Sequence, residues 1–356
     1  MIIILRLQPF IFILSIHLLC MDAISQESTL PVSLELQTEI RETDDFFIGG
    51  LVSATLTPEQ DILILDYHQK KVFVFDLNGT LRHSFGREGR GPGEFQTPTV
   101  VKTDQEGYIY IADFSNARVS IWTPDNTYHT DYQLVPGWRE KINKNSDGLY
   151  LSVTPFRKQP NGKDALKIFT LSVDQKGLQP FYSYEYDAST EWFSKDRLFD
   201  STSYWDITDE GKIVASGKFD YSPIRIIDSE SGEVETVFSE EHEPITYTEE
   251  ENEARLSRYP KGSQFRAIQA ERTSKQIYTN IQVSNRDLIW VHRNKKFGEV
   301  DEIDIYNLEG EFETRVTLPA SENELKMYGI YDEYVLFRVT TPIGEERLHV
   351  YRIEYE

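Results

Sequence analysis

Residues 78–125 read NGTLRHSFGREGRGPGEFQTPTVVKTDQEGYIYIADFSNARVSIWTPD. Two short runs inside this stretch, Tyr108–Asp113 and Arg118–Thr123, are rich in Ile, Val and aromatic residues. Each is bounded by Gly, Asn or Asp, the combination that marks a β-strand between turns. A glycine-rich segment, Gly86–Phe95, precedes them. The stretch therefore reads as one unit of a repeat.

The same pair of strand patterns recurs six times along the chain. The pairs are 61–66 with 71–76, 108–113 with 118–123, 148–153 with 166–171, 211–216 with 224–228, 287–292 with 304–307, and 333–338 with 348–352. Phe75, Trp122, Phe169, Ile227, Tyr306 and Tyr351 hold matching places in the second members, at intervals of 47, 47, 58, 79 and 45 residues. The shorter intervals suit a four-stranded blade of about 40–50 residues, and the longer ones call for insertions. A lone four-stranded sheet leaves both apolar faces open, whereas a closed ring of sheets buries them. The expected fold is all-β: a six-bladed β-propeller of four-stranded antiparallel blades over residues 32–356. The last unit lacks a fourth strand after it, and Val32–Leu36 alternates as a strand should. The N-terminal strand is therefore expected to close the ring. A charged insertion is expected at 239–265, with a short helix near 247–256 stopped by Pro260 and Gly262, and a surface loop at 155–165.

Composition narrows the partners. With 39 % hydrophobic and 13 % aromatic residues the chain has material for a core. Its net charge of −22 repels nucleic acid phosphates, and no basic patch with interleaved aromatics offsets this. Residues 2–20 are mostly apolar behind Arg6, and Ala23-Ile24-Ser25 resembles an export cleavage site. Residues 1–25 are thus expected to be a removable signal peptide, leaving no transmembrane span and an exported chain, periplasmic or at the cell surface. Cys20 is the only cysteine and offers a lipoprotein alternative. A monomer is expected.

The motif Phe85–Phe95, followed by Pro98, Asp104, Gly107, Tyr110–Asp113, Asn116, Arg118 and Val119, resembles the six-bladed propellers of the NHL-repeat type. It is most similar to the exported six-bladed propellers common in Bacteroidetes. Leu65-Asp66, Gln69, Lys71 and Val72 match more loosely in the preceding unit, and later units keep only the rhythm. The resemblance implies a binding module, a lactone hydrolase or a lyase; the fold alone does not choose.

Gly86–Gly93 lacks the Gly-Lys-Ser/Thr ending of a phosphate loop. Its glycines permit a sharp path between blades, with Arg87 and Arg90 as ligand contacts in the alternative reading. Asp113 and Asn116 suit an Asx-type turn, and Arg118 is expected to pair with an acid such as Asp113. Trp138-Arg139 and Tyr204-Trp205-Asp206 fall where the third and fourth blades begin, and serve either inter-blade packing or binding of a sugar or peptide. The histidines lack metal-site spacing. A channel Ca²⁺ is the candidate cofactor, with Asp44, Asp45, Asp206 and Glu299 as oxygen donors. Two functions follow: an exported non-enzymatic module binding protein, peptide or carbohydrate, or a propeller hydrolase or lyase with a divalent metal in its channel.

Overall fold

The computed structural model describes residues 31–355, apart from 44–45, 135–136, 156–160, 173–177, 187–203, 217–222, 240–244, 258, 271–272, 276, 297–298 and 319–323. The expected signal peptide, Cys20, Asp44, Asp45 and much of the expected 155–165 loop lie outside the described residues.

Six four-stranded antiparallel sheets follow one another along the chain. Blade 1 comprises β2 (Leu51–Leu56), β3 (Ile62–Asp66), β4 (Lys71–Phe75) and β5 (Leu81–Phe85). The minor strands β6 (Arg87–Glu88) and β7 (Glu94–Phe95) lie in the passage to blade 2. Blade 2 holds β8 (Pro98–Thr103), β9 (Ile109–Asp113), β10 (Arg118–Trp122) and β11 (Tyr128–Gln133). In blade 3 come β12 (Gly137–Asn145), β13 (Gly148–Pro155), β14 (Asp164–Leu171) and β15 (Gln179–Tyr186). Blade 4 follows with β16 (Tyr204–Ile207), β17 (Ile213–Ser216), β18 (Ile224–Ile227) and β19 (Val234–Phe238). Blade 5 has β20 (Tyr278–Val283), β21 (Ile289–Arg293), β22 (Asp301–Tyr306) and β23 (Phe312–Leu318). Blade 6 has β24 (Glu324–Tyr331), β25 (Tyr334–Thr340) and β26 (Glu346–Tyr355), completed by β1 (Val32–Ile40), which pairs antiparallel with β26.

The recurring sequence pairs are the second and third strands of each blade. Both faces of these strands are covered by neighbouring blades, so they read as unbroken apolar runs: every residue of β3, β9 and β10 is buried. Fourth strands lie on the outer rim and are half solvated, as in β5 and β19. The six matching positions Phe75, Trp122, Phe169, Ile227, Tyr306 and Tyr351 all border an irregularity in the pairing of third with fourth strand. They repeat because the blade bends there each time.

Six apolar clusters fill the six gaps between blades. Leu51, Ile64 and Phe75 of blade 1, for example, meet Leu336, Leu348 and Val350 of blade 6. Leu63, Val72 and Val74 face Val101 and Ile109 of blade 2 on the other side. Burying each such side chain contributes about 1.5–3 kcal/mol. With β1 seated in blade 6, no gap is left open: the molecule is a closed six-bladed β-propeller.

The 239–265 region lies between β19 and β20. It contains α1 (Glu249–Ser257), entered through a capping box. In that box Thr248 Oγ1 accepts from Glu251 N at 3.2 Å, and Glu251 Oε2 accepts from Thr248 N at 2.9 Å. A second helix, α2 (Gln264–Ala270), goes beyond what the sequence pattern leads one to expect.

Candidate functional site

The innermost strands are β2, β8, β12, β16, β20 and β24, and each presents an unpaired edge toward the channel. Buried backbone groups on such an edge need partners. Side chains from neighbouring innermost strands supply them. Val101 N donates to Ser53 Oγ at 3.2 Å, joining β8 to β2. Asn143 Nδ2 donates to Trp205 O at 2.7 Å, joining β12 to β16. Val283 N donates to Asp206 Oδ2 at 2.8 Å, and Asn280 Nδ2 donates to Met327 O at 2.6 Å. Tyr328 Oη joins β24 to β2 by donating to Leu51 O at 2.7 Å.

Within this ring one register position is polar in five blades. Thr55, Lys102, Asn143, Asp206 and Gln282 are all buried there, and Gly329 holds the sixth place. Each stands opposite the second buried residue of its neighbouring strand: Leu63, Tyr110, Tyr150, Val214, Trp290 and Leu336. Lys102 Nζ passes blade 1 to reach blade 6, donating to Tyr328 O at 3.1 Å and Tyr331 Oη at 3.0 Å. Gly329 leaves room for this: a Cβ there would lie 2.5 Å from Tyr331 Oη.

Asp206 is 3 % exposed, and burial pushes its carboxyl up to about 6. The N–H groups of Val283 and Ile207, and the charges of Lys102 and Lys141, pull the other way without offsetting burial. This environment does not suit calcium. Calcium takes six to eight oxygens, Asp206 is the one carboxylate on the belt, and two lysines repel a cation. Glu299 is no donor either: it is exposed in the β21–β22 connection, away from the innermost strands. Among the described residues no group of three or more His, Cys, Asp or Glu gathers as a metal centre would need.

The glycine-rich passage is fastened from behind. Asp113 accepts from Gln96 N at 2.7 Å, Thr97 N at 3.1 Å and Asn116 N at 3.0 Å, so the expected Asx turn forms. The buried Arg118 does not pair with Asp113. It stands opposite Asp113 in the strand pairing but meets Asp131 at 2.9 Å, because the Asp113 carboxylate is taken up by the N–H groups of Gln96, Thr97 and Asn116. Its guanidinium also donates to Gly91 O at 2.6 Å and Glu94 O at 2.7 Å. Blade 1 repeats the clamp: Asp66 accepts from Gly49 N at 2.7 Å and Gln69 N at 2.8 Å.

The remaining candidates separate by depth. Arg87 and Arg90 are on the passage, and Arg87, exposed, pairs with Glu94 at 2.7 Å. Trp138 and Arg139 lie at the head of β12, opposite Thr154 and Val153; their side chains lie outside the described part. Tyr204, at the head of β16, has Lys141 Nζ 5.1 Å from its ring centroid. Trp205 is 1 % exposed and packs with Tyr150, Leu166 and Ile207 between blades 3 and 4. Arg87, Arg90, Trp138, Arg139 and Tyr204 therefore share the face on which the innermost strands begin, while Trp205 and Asp206 belong to the interior.

That face also carries a feature that sequence reasoning does not reach. A pocket of about 480 Å³ opens between blades 1 and 6, lined by Glu42, Ile48, Gly49, Gly50, His68 and residues 343–346. Ile343 on its wall is 88 % exposed, and Phe47, packed beside Gly49, is 60 % exposed. Tyr67 stands 5.1 Å from the His68 ring. These residues lie on three separate turns, so no local motif announces them.

The fold and its channel define the class as a six-bladed propeller, and comparison with known proteins agrees. Residues 34–193 match the DUF5128 family model, described as a 6-bladed beta-propeller. The chain is similar in structure to a Bacteroides fragilis NCTC 9343 protein assigned as exported, with a TM-score of 0.55 and 16 % identity over 91 % of this chain and 95 % of that one. It is also similar to a duf4221 family member from Bacteroides vulgatus, with a TM-score of 0.55 and 10 % identity over 91 % of this chain and 99 % of that one. At these identities the likeness is one of fold. A 46-residue segment is 46 % identical to the E3 ubiquitin-protein ligase TRIM71 of Rattus norvegicus, covering 13 % of this chain but only 5 % of that protein. Among the described residues no helix is long and apolar enough to cross a membrane.

Proposed function

We propose that the chain is an exported, non-enzymatic binding module that engages a protein or peptide on the face where the innermost strands begin. The observation that carries this reading is the gathering of Phe47, Tyr67 and Ile343, all exposed, around one acid-lined pocket. Large apolar groups left in water beside a concave polar site mark interaction surfaces. Glu42, Glu345 and Glu346 add negative charge, although Arg347 and Arg338 offset the last two. The partner chemistry that fits is an apolar side chain next to a lysine or arginine. Arg87 and Arg90 on the neighbouring passage extend the same face. The apolar residues 2–20 support export.

The reading is tested by titrating the chain lacking residues 1–25 against an array of immobilised peptides carrying paired apolar and basic residues. Saturable binding that falls at least tenfold in the Phe47→Ser/Ile343→Ser double variant supports it. Binding that the double variant leaves unchanged, or no binding to any such peptide, overturns it.

A further inference from the structure

The three carboxylates that line the pocket between blades 1 and 6 are not equivalent. Glu346 Oε2 accepts from Leu51 N at 2.6 Å, and its Oε1 lies 3.4 Å from Arg338 Nη1. Glu345 Oε2 accepts from Arg347 Nη2 at 2.8 Å. Both acids are thus already matched to an arginine. Glu42 has no such match: its Oε1 accepts from Ile48 N at 3.3 Å, and its Oε2 has no donor among the described residues. Arg41, next to it in the chain, leans instead toward Glu39 at 3.9 Å. Glycines keep the space around these groups clear. A Cβ on Gly50 would lie 2.8 Å from His68 Cδ2, so the imidazole closes directly against the main chain, and a Cβ on Gly344 would meet nothing within 4 Å. A cavity of about 480 Å³ therefore holds one acid without a base, beside the 88 % exposed Ile343.

We propose that this pocket is a lysine subsite, in which Glu42 takes the ammonium of a partner's lysine in preference to an arginine guanidinium. The proposal rests on the reading of this face as a peptide-binding surface. An ammonium is a compact point charge that one carboxylate oxygen can hold, whereas a guanidinium fork is best met by two oxygens at once. Glu42 offers one, since its other oxygen fixes the turn at Ile48. The alkyl stem of a lysine also packs on apolar surface while its charge stays among polar groups, and Ile343 supplies that surface on the pocket wall.

The test uses the chain lacking residues 1–25 and short acetylated, amidated peptides that carry a leucine beside a lysine, or beside an arginine or Nε-acetyl-lysine in its place. Calorimetry reports their affinities. The lysine peptide is expected to bind about threefold more tightly than the arginine peptide and about tenfold more tightly than the acetyl-lysine peptide, the scale of one charge-assisted bond. Glu42→Gln keeps an acceptor for the Ile48 N–H, so the turn holds; it lowers the affinity of the lysine peptide about tenfold and leaves that of the acetyl-lysine peptide unchanged. Glu59→Gln, at an exposed site in the β2–β3 turn at the far end of blade 1, changes none of these affinities. Equal affinity for the three peptides overturns the lysine subsite. So does a lysine preference that survives Glu42→Gln, or an affinity restored by a free N-terminus in place of the lysine. Where peptides bind equally but lose affinity in the Phe47→Ser/Ile343→Ser double variant, the peptide-binding face stands and the subsite alone falls. Binding of none of the peptides overturns both.

Discussion

The chain enters blades 2 and 5 along the same backbone path. Phe114 N donates to Thr97 O at 2.9 Å at one entrance, and Asn294 N donates to Ile277 O at 2.7 Å at the other. The side chains beside these bonds differ. At blade 2, Asp113 stands opposite Pro98 and clamps three N–H groups. At blade 5 the corresponding residue is Arg293, opposite Tyr278, which turns away to Glu302 at 3.1 Å and Asp304 at 3.5 Å on β22. Blade geometry is therefore set by the ladder bond and the apolar strands. The carboxylate clamp is a local addition at the entrances to blades 1 and 2, where Gly49 and Gly50, and Gln96 and Thr97, bring in N–H groups that Asp66 and Asp113 accept from.

The largest expected effect comes from removing that clamp. Asp113→Ala leaves three backbone N–H donors and the Asn116 amide without their buried acceptor, a loss of about 3–5 kcal/mol by the usual cost of charge-assisted bonds. Arg293→Ala removes a partly solvated pairing and costs about 1 kcal/mol. Urea denaturation of both variants compares them directly. Equal losses would show that the two entrances are fastened alike.

Two glycines sharpen the comparison further. Gly86, in the passage, and Gly344, beside the pocket, have nearly equal φ values of +84° and +85°. A Cβ on Gly344 meets nothing within 4 Å, whereas one on Gly86 would clash with the ring of the fully buried Phe95. Gly344→Ala thus costs only the left-handed backbone penalty, about 1 kcal/mol. Gly86→Ala adds overpacking, for a total of about 3 kcal/mol. A thermal scan showing the same shift for both would mean that Phe95 yields and that the passage is looser than its contacts indicate.

What the sequence disclosed follows from how each element is buried. Second and third strands are covered on both faces, so Ile62–Leu65 and Ile109–Ala112 stand out as apolar runs, and Val32–Leu36 is recognisable as the missing partner of β26. Arg118 is legible as a pairing residue but not in its choice of Asp131, which depends on strand register. The belt is hidden because it contributes one residue per blade and converges only when the ring closes. A faint signal exists in retrospect: Thr55, Lys102, Asp206 and Gln282 each precede the first buried aliphatic of the next strand, Ile62, Ile109, Ile213 and Ile289, by seven residues. The helix α2 and the pocket near Ile343 carry no such spacing, since they arise from turns brought together by the ring.

Asp206, on the innermost strand of blade 4, is a second buried carboxylate, and it carries a pH signature. Burial raises Asp206 to about 6, above its ordinary value of 3.8. The groups facing it are Lys102 from β8, Lys141 from β12 and the Val283 N–H from β20. Below about pH 4 the carboxyl is protonated in both the folded and the unfolded chain, so it contributes no pH dependence. Between about pH 4 and 6 the folded chain holds the proton more tightly, and stability falls as pH rises. Above about pH 6 the cost of the buried charge is complete, on the order of 2–3 kcal/mol for a shift of this size. Asp206→Asn keeps an acceptor for the backbone and removes the charge. Its urea midpoint relative to the parent should therefore rise from about pH 4 to about pH 7, most steeply near pH 5. A difference that stays constant across that window would place the carboxyl in a more solvated setting than its 3 % exposure implies.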